Sequence, residues 1–367
     1  MAKAYFERGM TPIIRAIVDT AALRHNLARV REIAPGSRVL AVVKANAYGH
    51  GIVPSAVALA GADGFAVARL GEGIALRAAG LRHRILLLEG VFAAEELAQA
   101  AHYDFDIMVH DAAQLALLEG NRGEARFSIW LKIDTGMNRL GFRPEQVPGA
   151  LARLEACAAV ASPLTLVTHL ACADERSGEF TRAQLDLFDR LTAGVPGERS
   201  IANSAAMIAC ARARGDWVRP GLMLYGVSPF QDRSAAELGL KPAMTLTTRV
   251  VAVKDVAPGE RVGYGGEWRA GQPTRMAIAA AGYGDGYPRN TASGTPVLVN
   301  GHQAALCGRV SMDMIAVDVT TLPQVSVGDP VTLWGAGLPV EDIARAAGTI
   351  PYELICNVSQ RVHLDVR

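Results

Sequence analysis

The sequence lacks any uninterrupted apolar run close to the ~18 residues that a membrane-spanning helix requires. It also lacks an excess of charge, because 37 Lys and Arg residues oppose 36 Asp and Glu residues and leave a formal net charge of +1. Such a chain has no basic field to attract nucleic acid and no acidic tail. The expected partners are therefore small molecules or further copies of the same chain, and neither nucleic acid nor a membrane is expected.

Cysteine is scarce and scattered. The five cysteines, at positions 157, 172, 210, 307 and 356, form no C-x-x-C pair. This spacing indicates neither a disulfide framework nor a zinc knuckle, so we expect reduced thiols and no bound metal. The first eight residues are too polar for a signal peptide, and the sequence therefore predicts a cytoplasmic protein.

Residues 38–225 repeat one pattern: a short apolar run, a polar or glycine-bearing turn, and a stretch with helical spacing. Continuous apolar runs are typical of strands buried on both faces, and eight such units predict an α/β fold, a (β/α)8 barrel of the TIM type. An open doubly wound sheet is the alternative, although no G-x-G-x-x-G follows any run. The predicted strands are 39–44, 64–67, 85–88, 105–109, 127–133, 164–169, 200–202 and 222–225.

Helix signals separate these runs. Asp19 or Thr20 can cap a helix that carries Leu23, Leu27 and Val30 on one face, and a Pro-Gly pair follows it. Similar signals predict helices over 93–101, 148–158, 179–191 and 204–214.

After residue 241 the pattern changes to Val- and Thr-rich segments that are separated by Pro-Gly and Asn-Gly turns, with one helical stretch over 340–347. The pair Asn300-Gly301 predicts a type I′ hairpin, because both central residues of that turn need positive φ. The 367 residues suffice for two cores. We expect a barrel over 19–241 and a mostly β domain over 242–367, with residues 1–18 packing against the latter.

The carboxyl ends of the strands are where a (β/α)8 barrel carries its functional residues. Lys44 ends the first run. Partial burial there would lower the pKa of its amine and favour the neutral, nucleophilic form. A lysine that extends to solvent at the barrel rim is the alternative. The other polar residues at these ends are Lys132, Asp134, His169, Asn203 and Ser204.

The segment that contains Lys44, AVVKANAYGHG at 41–51, resembles the pyridoxal phosphate attachment segment of the alanine racemases. Further segments resemble motifs of the same family in the same order, from about residue 15 to residue 361. They are KIDTGMNRLG at 132–141, TH at 168–169, NSA at 203–205, RPG at 219–221, VGYG at 262–265, GYGDGY at 282–287, RVSMD at 309–313 and PYE at 351–353.

The resemblance implies a racemase whose two catalytic residues are Lys44 and Tyr264. Racemisation removes a proton from one face of Cα and returns one to the other, so it needs a base on each side. Lys44 would bind the pyridoxal phosphate and serve one face, and Tyr264 would serve the other. In the family, the arginine matching Arg219 contacts the histidine matching His169, which in turn contacts this tyrosine. These contacts would place positive charge near the phenol of Tyr264. Without the other motifs, a tyrosine packed in a glycine-rich β turn would be the favoured interpretation of Tyr264.

The resemblance also places Arg219 at the pyridine nitrogen of the cofactor. A guanidinium does not give up its proton at neutral pH, so the nitrogen stays largely unprotonated and the electron sink is weak. This favours reprotonation at Cα, and hence racemisation, over transamination. A surface arginine before a Pro-Gly turn is the alternative.

The cofactor phosphate is expected to bind Tyr48, Ser204, the N–H groups of Gly221 and Leu222, and Tyr352. Asn203, which begins the segment with Ser204, belongs to the same predicted site, with an ordinary helix cap as the alternative.

Substrate recognition is assigned by the same resemblance. Arg139 would hold the substrate carboxylate, Met312 and Asp313 would form the substrate pocket and limit side-chain size, and Tyr283 with Tyr352 would narrow its entrance. Lys132 corresponds to a lysine that is often carbamylated in the family. Carbamylation would let it orient Arg139, whereas two unmodified cations would repel.

In the family, the β domain of one subunit completes the barrel site of the other, so the resemblance implies a homodimer with shared sites that makes D-alanine for peptidoglycan. Three alternatives stay open. They are a broader-specificity or serine racemase, a pyridoxal phosphate decarboxylase of the same fold, and a pyridoxal phosphate homeostasis protein. The decarboxylases place a carboxylate where Arg219 stands, and the homeostasis proteins need no second domain.

Overall fold

The computed structural model describes residues 12–175 and 178–367 and contains a closed parallel barrel and an eight-stranded sheet. A first strand, β1 (Arg15–Val18), precedes the barrel. The barrel strands pair in chain order, and the last pairs with the first. These strands are β2 (Arg38–Val42), β3 (Gly64–Val67), β4 (Arg84–Leu87), β5 (Asp106–Val109), β6 (Phe127–Lys132), β7 (Val160–Val167), β8 (Glu198–Ser200) and β9 (Trp217–Val218). The predicted (β/α)8 barrel is confirmed, and the open sheet is wrong.

The eighth predicted strand, 222–225, is a correction. Leu222–Tyr225 forms a 3-10 turn, and the eighth strand is the shorter β9. The turn is buried on all sides, and the Tyr225 hydroxyl donates a hydrogen bond to the carbonyl oxygen of Val42 at 2.9 Å. A four-residue apolar run with this burial looks the same in sequence whether it is a strand or a turn, which explains the error.

The helices follow the strands as expected, and the Asp19 side chain caps the first of them by accepting from the N–H groups of Ala21 and Ala22. Leu23, Leu27 and Val30 are buried on its inner face. The helices of this region are α1 (Thr20–Ile33), α2 (Lys44–Tyr48), α3 (Ile52–Ala58), α4 (Leu70–Ala78), α5 (Ala94–His102), α6 (Ala112–Glu119), α7 (Val147–Ala156), α8 (Glu179–Thr192) and α9 (Ser204–Ala209).

The second region is the mostly β unit that the sequence predicts. Its strands are β10 (Met244–Val256), β11 (Arg261–Val262), β12 (Trp268–Arg269), β13 (Thr274–Ala279), β14 (Pro296–Val299), β15 (His302–Cys307), β16 (Ile315–Asp318), β17 (Pro330–Trp334) and β18 (His363–Val366). The large sheet has the order β13-β16-β15-β14-β17-β10-β1-β18, while β11 and β12 form a separate pair.

Strand β1 belongs to this second sheet, antiparallel to β10 and parallel to β18. The remainder of the predicted packing of residues 1–18 concerns residues 1–11, which lie outside the described residues. The division at 241/242 stays a prediction.

The Asn-Gly hairpin is confirmed between β14 and β15, since Asn300 and Gly301 have φ values of 52° and 81°. Two helices complete the unit, α10 (Val340–Ala346), which was predicted, and α11 (Pro351–Cys356), which was not. Across residues 12–175 and 178–367, no helix combines the length and apolar character needed to cross a bilayer.

Candidate active site

A cavity of about 560 Å³ lies at the carboxyl ends of the barrel strands, the expected place for a site in this fold. Helix α11 contributes to its wall through Tyr352 and Cys356. Most of the residues predicted from the sequence line it together, namely Lys44, Tyr48, Lys132, Arg139, His169, Asn203, Ser204, Arg219, Gly221, Leu222 and Tyr352.

Lys44 begins an unusual turn. In α2 the residues Ala45, Asn46 and Ala47 have φ of 52–55° and ψ of 43–51°, so this turn winds left-handed. For residues with a Cβ this conformation costs about 1–2 kcal/mol each. The sequence around Lys44 is therefore held in a strained shape, which is a feature that concentrates at functional sites.

Packing and side-chain bonds hold the strained turn in place. At its end, a Cβ on Gly49 would lie 2.0 Å from the carbonyl oxygen of Ile355, so glycine permits the close approach of α11. The Asn46 side chain accepts from the N–H of Ile52 at 2.9 Å. His50 is fully buried, and its Nδ1 lies 2.9 Å from the carbonyl oxygen of Tyr48.

The environment of Lys44 favours the neutral amine. Burial lowers its pKa from 10.5, and the charge of Arg139 lowers it further, while Glu89 and Glu72 act in the opposite direction. A neutral amine is the nucleophilic form and the form that can accept a proton. The position and electrostatics of Lys44 thus suit both covalent binding of an aldehyde and proton transfer.

Arg219 is 6% exposed and is fixed by backbone and side-chain acceptors. Its guanidinium donates to Ser200 Oγ at 2.6 Å, to the carbonyl oxygen of Thr168 at 2.7 Å and to the carbonyl oxygen of Ile201 at 3.1 Å. Burial lowers its pKa to about 10, so the group remains a cation at neutral pH. The structure therefore presents a rigidly held positive charge to the cavity.

His169 lies beside this guanidinium, which donates to its Nδ1 at 3.4 Å. An Nδ1 that accepts leaves the ring proton on Nε2 when the imidazole is neutral. Burial and the charge of Arg219 hold the pKa of His169 well below 6.5, so the ring is neutral at physiological pH.

Lys132 is buried among other cations. Burial lowers its pKa to about 8, and Arg219, Arg139 and Lys44 all contribute in the same direction. Because these neighbours are cationic, a negative group at this position would relieve their mutual repulsion.

Hydroxyl and backbone groups converge on another part of the cavity wall. Ser204 Oγ accepts from the N–H groups of Gly221 and Met223, at 3.0 and 3.4 Å. A Cβ on Gly221 would lie 2.6 Å from Tyr48 Oη, so only glycine lets this backbone approach the phenol. The side chain of Asn203 accepts from the N–H of Ala206, so it caps α9 as well as lining the cavity.

This wall and the two lysines fit pyridoxal phosphate. The cavity has the volume of a small-ligand site, with neutral donors at Tyr48 and Ser204 for an anion, and an amine for an aldehyde. Tyr48 itself stacks on Tyr225 with ring centroids 4.9 Å apart, and Tyr352 lies at 5.9 Å. This part of the cavity wall is therefore built from packed aromatic groups and not from mobile charged side chains.

Four predicted residues do not line this cavity within one chain: Tyr264, Tyr283, Met312 and Asp313. Tyr264 is 66% exposed on a 3-10 turn, and Met312 is 52% exposed. The segments around Tyr283 and Met312 do meet, because the N–H of Gly284 donates to the carbonyl oxygen of Met312 at 2.8 Å. Asp313 pairs with Arg361 at 2.7 Å. They lie on the mostly β unit, exposed to any partner.

The sequence did not indicate Gln184, which supports the site from α8. This fully buried amide donates to the carbonyl oxygen of His169 at 3.2 Å and to Thr135 Oγ1 at 3.3 Å. Its oxygen accepts from the N–H of Ala171 at 2.9 Å. The sequence feature that could have indicated Gln184 is its position as a polar residue on the apolar face of an amphipathic helix.

Comparison with known families matches both regions of the chain. The model described as alanine racemase, N-terminal domain, matches residues 18–229, and the model described as alanine racemase, C-terminal domain, matches residues 243–366. An alanine racemase of Nitrosococcus oceani is 53% identical over 349 residues, which cover 95% of this chain and 98% of that protein. One from Shewanella baltica is 50% identical over 353 residues, which cover 96% and 99%.

Solved structures agree. The biosynthetic alanine racemase of Pseudomonas aeruginosa superposes with a TM-score of 0.93 at 48% identity, covering 97% of this chain and 99% of that one. The alanine racemase of Acinetobacter baumannii gives 0.89 at 37% identity, covering 97% and 100%. The match to both domains does not suit the homeostasis-protein alternative, which has a single barrel.

Proposed function

The chain belongs to the alanine racemase family and interconverts L- and D-alanine with pyridoxal phosphate, and we propose that Lys44 and Tyr264 of the partner subunit are its two bases. When bound, the cofactor draws electrons from the substrate Cα and so acidifies its proton. The observation that carries the assignment of Lys44 is its place in the cavity, at the end of β2 and with a lowered pKa.

The two bases must act from opposite faces. On one face Lys44 takes the Cα proton as the neutral amine and returns one as the ammonium, and on the other face Tyr264 takes a proton as the phenolate and returns one as the phenol. Tyr264 is exposed on the mostly β unit and does not line the cavity of its own chain. This supports a role for Tyr264 in the site of a neighbouring chain. A homodimer with two shared sites follows from this assignment.

Arg219 faces the ring nitrogen of the cofactor in this proposal. Because its pKa of about 10 keeps the guanidinium protonated, it donates a hydrogen bond without transferring a proton. Its bonds to Thr168 and Ile201 hold it in one position. This arrangement disfavours transamination, and it also argues against the decarboxylase alternative, which requires a carboxylate at this place.

Neutral donors hold the cofactor phosphate. Ser204 Oγ already accepts two backbone N–H groups, so its own hydrogen is directed to the anion. Tyr48 and Tyr352 add phenolic donors, and Leu222 adds a backbone N–H. The N–H of Gly221, which the sequence predicted at the phosphate, instead donates to Ser204 Oγ at 3.0 Å. Asn203 and His169 complete the cofactor site by supporting Ser204 and Arg219.

Substrate binding is assigned to Arg139, Met312, Asp313 and Tyr283. Arg139 supplies a planar cation for the carboxylate of alanine. Met312 limits the size of the side chain, and Tyr283 narrows the entrance with Tyr352. Of these, Arg139 lies on the barrel cavity and the other three come from the partner subunit.

Carbamylation of Lys132 is part of the proposal. Its neutral amine attacks carbon dioxide, the new C–N bond forms, and one amine proton leaves to solvent, which turns a cation into an anion. A pKa of about 8 makes the neutral amine accessible. Intact mass of a fresh sample is expected to show the addition of one carbon dioxide, and an unmodified mass would remove this step.

The cellular role is proposed as the supply of D-alanine for peptidoglycan in the cytoplasm. The Pseudomonas aeruginosa relative is described as biosynthetic. All five cysteines are free, which suits a reducing compartment. Loss of the gene is expected to impose a requirement for D-alanine, and growth without that supplement would contradict the role.

Incubation with L-alanine in D2O tests the activity and the site. Optical rotation is expected to fall to zero while deuterium enters Cα, with L-serine and L-lysine as controls for specificity. Borohydride reduction is expected to fix the cofactor on Lys44, which peptide mass spectrometry locates. A label on a different lysine would overturn the assignment of Lys44.

A further inference from the structure

The carboxylate of Glu72 joins the loop after β3 to the strained turn at Lys44. Its Oε1 accepts from the N–H of Ala45 at 2.7 Å. Its Oε2 accepts from the N–H groups of Ala68 and Arg69, at 2.9 and 3.0 Å. Glu72 thus caps its own helix α4 and at the same time binds the residue that follows Lys44.

Similar bridges recur in alternate units of the barrel, but they are built from amides. Gln114 of α6 accepts from the N–H of His110 at 2.9 Å and donates to the carbonyl oxygen of Glu89 at 2.9 Å. Gln184 of α8 accepts from the N–H of Ala171 at 2.9 Å and donates to Thr135 Oγ1, in the loop after β6, at 3.3 Å. In these two bridges the neighbouring loop offers an acceptor oxygen, the carbonyl of Glu89 or the hydroxyl of Thr135, which suits the N–H donor of an amide.

The bridge at Lys44 needs a carboxylate, because all three of its partners are N–H donors. An amide has one accepting oxygen and one donating nitrogen, so a glutamine at Glu72 could not serve both loops. The left-handed path of the chain presents the N–H of Ala45 to α4. Without an acceptor there, the turn loses a charge-assisted hydrogen bond that offsets part of its strain.

We propose that Glu72 is a positioning residue, which fixes the left-handed turn and thereby the direction in which Lys44 enters the cavity. The inference rests on the proposed role of Lys44. His50 holds the far end of the turn through the carbonyl oxygens of Ala47 and Tyr48. The turn is thus fixed at both ends. Glu72 accepts from the N–H of Ala45 at its start, and His50 donates to the carbonyl oxygen of Tyr48 at its end.

Glu72→Gln tests the bridge, with Glu96→Gln as the matched control. Glu96 is also a half-buried glutamate in the first turn of a barrel helix, and it accepts from the N–H of Phe92 at 2.7 Å. Glu96→Gln therefore reproduces the loss of a carboxylate charge at the start of a helix without touching the turn at Lys44. Hydrogen–deuterium exchange of the 44–49 segment and steady-state kinetics are measured on both holoenzymes.

In Glu72→Gln, exchange in 44–49 is expected to rise about 10-fold or more, because the charge-assisted bond to Ala45 is lost. The kcat is expected to fall about 10- to 100-fold with KM changed less than about 2-fold, since the defect is in the orientation of Lys44. Attachment of pyridoxal phosphate to the apoenzyme slows in parallel. Glu96→Gln leaves all three quantities near their wild-type values.

Glu72→Asp separates positioning from capping if the glutamine variant folds poorly. The shorter carboxylate still reaches the start of its own helix but not Ala45, so the same rise in exchange and fall in kcat are expected with an unchanged melting temperature. Unchanged exchange in 44–49, or equal losses of kcat in the Glu96 control, would overturn the inference. Absence of borohydride-fixed cofactor on Lys44 of the wild type would instead overturn the proposed function.

Discussion

The barrel cavity and the exposed edge of the mostly β unit differ in how completely one chain builds them. In the cavity, Arg219 is 6% exposed and donates to Ser200, Thr168 and Ile201 as well as His169, and both lysines have lowered pKa values. At the other edge, Tyr264 and Met312 are 66% and 52% exposed. The cavity is organised by folding alone, whereas the edge gains its proposed function only when a second chain covers it.

The largest effect is expected from Lys44→Ala, which removes both the attachment point and one base. Racemisation should fall on the order of 10⁴-fold or more, and the visible absorbance of the bound cofactor should disappear. The measurement is loss of optical rotation with L-alanine. Lys254→Ala, at an exposed lysine of β10, should keep wild-type activity. Substantial activity in Lys44→Ala would contradict the claim that the barrel cavity supplies the essential amine.

Arg219→Lys should affect folding and activity together, as a cavity residue requires. A single ammonium cannot serve Ser200, Thr168 and Ile201 as the planar guanidinium does. We expect a loss of about 2–4 kcal/mol in the free energy of unfolding by urea titration.

The matched control is Arg212→Lys, because Arg212 is an exposed partner of Asp186 and Asp189. It should change the free energy of unfolding by less than about 0.5 kcal/mol. Equal effects of the two substitutions would show that burial of Arg219 does not matter.

Lys132→Gln should stabilise the apoenzyme at pH 7 in buffer free of carbon dioxide. The folded pKa of Lys132, about 8, lies below its value of 10.5 in the unfolded chain. Between these two pKa values the unfolded state therefore binds more protons than the folded state, so the free energy of unfolding of the wild type rises with pH. Below about pH 8 the wild type carries the full cost of burying a charged Lys132. Urea titration should show a gain of roughly 1–3 kcal/mol at pH 7 that vanishes towards pH 10.5. A gain independent of pH would contradict this cause.

The smallest effect on folding is expected from Met312→Ala. An exposed side chain contributes less than about 0.5 kcal/mol to the free energy of unfolding. If Met312 limits the substrate pocket of the partner, however, kcat/KM for L-serine relative to L-alanine should rise about 10-fold. Unchanged selectivity would remove Met312 from the substrate site.

Much of the barrel could be predicted from the sequence, because a strand such as β3 is buried along its whole length and has a continuous apolar sequence. The cap at Asp19 and the hairpin at Asn300-Gly301 depend on a few neighbouring residues and were predicted for the same reason. The eighth strand was missed because β9 has only two residues and the apolar turn beside it has a stronger pattern.

Two features of the site, the left-handed turn and the side chains that support it, could not be predicted from the sequence for a different reason. The residues Ala45, Asn46 and Ala47 carry no glycine signal for positive φ, so their left-handed turn is imposed by packing and by bonds from distant residues. Glu72 and Gln184 act through backbone groups 27 and 15 residues away in the chain, respectively. Local patterns do not encode such bonds.

Mixing Tyr264→Phe with Lys44→Ala tests the shared site most directly. Each variant alone should be nearly inactive, because one lacks the phenolic base and the other lacks the amine. After subunit exchange, half of the dimers should be mixed, and each mixed dimer holds one intact site. An equimolar mixture should therefore recover about a quarter of wild-type activity. Native mass spectrometry that shows mixed dimers without any recovered racemisation would contradict a site completed by Tyr264 of the partner subunit.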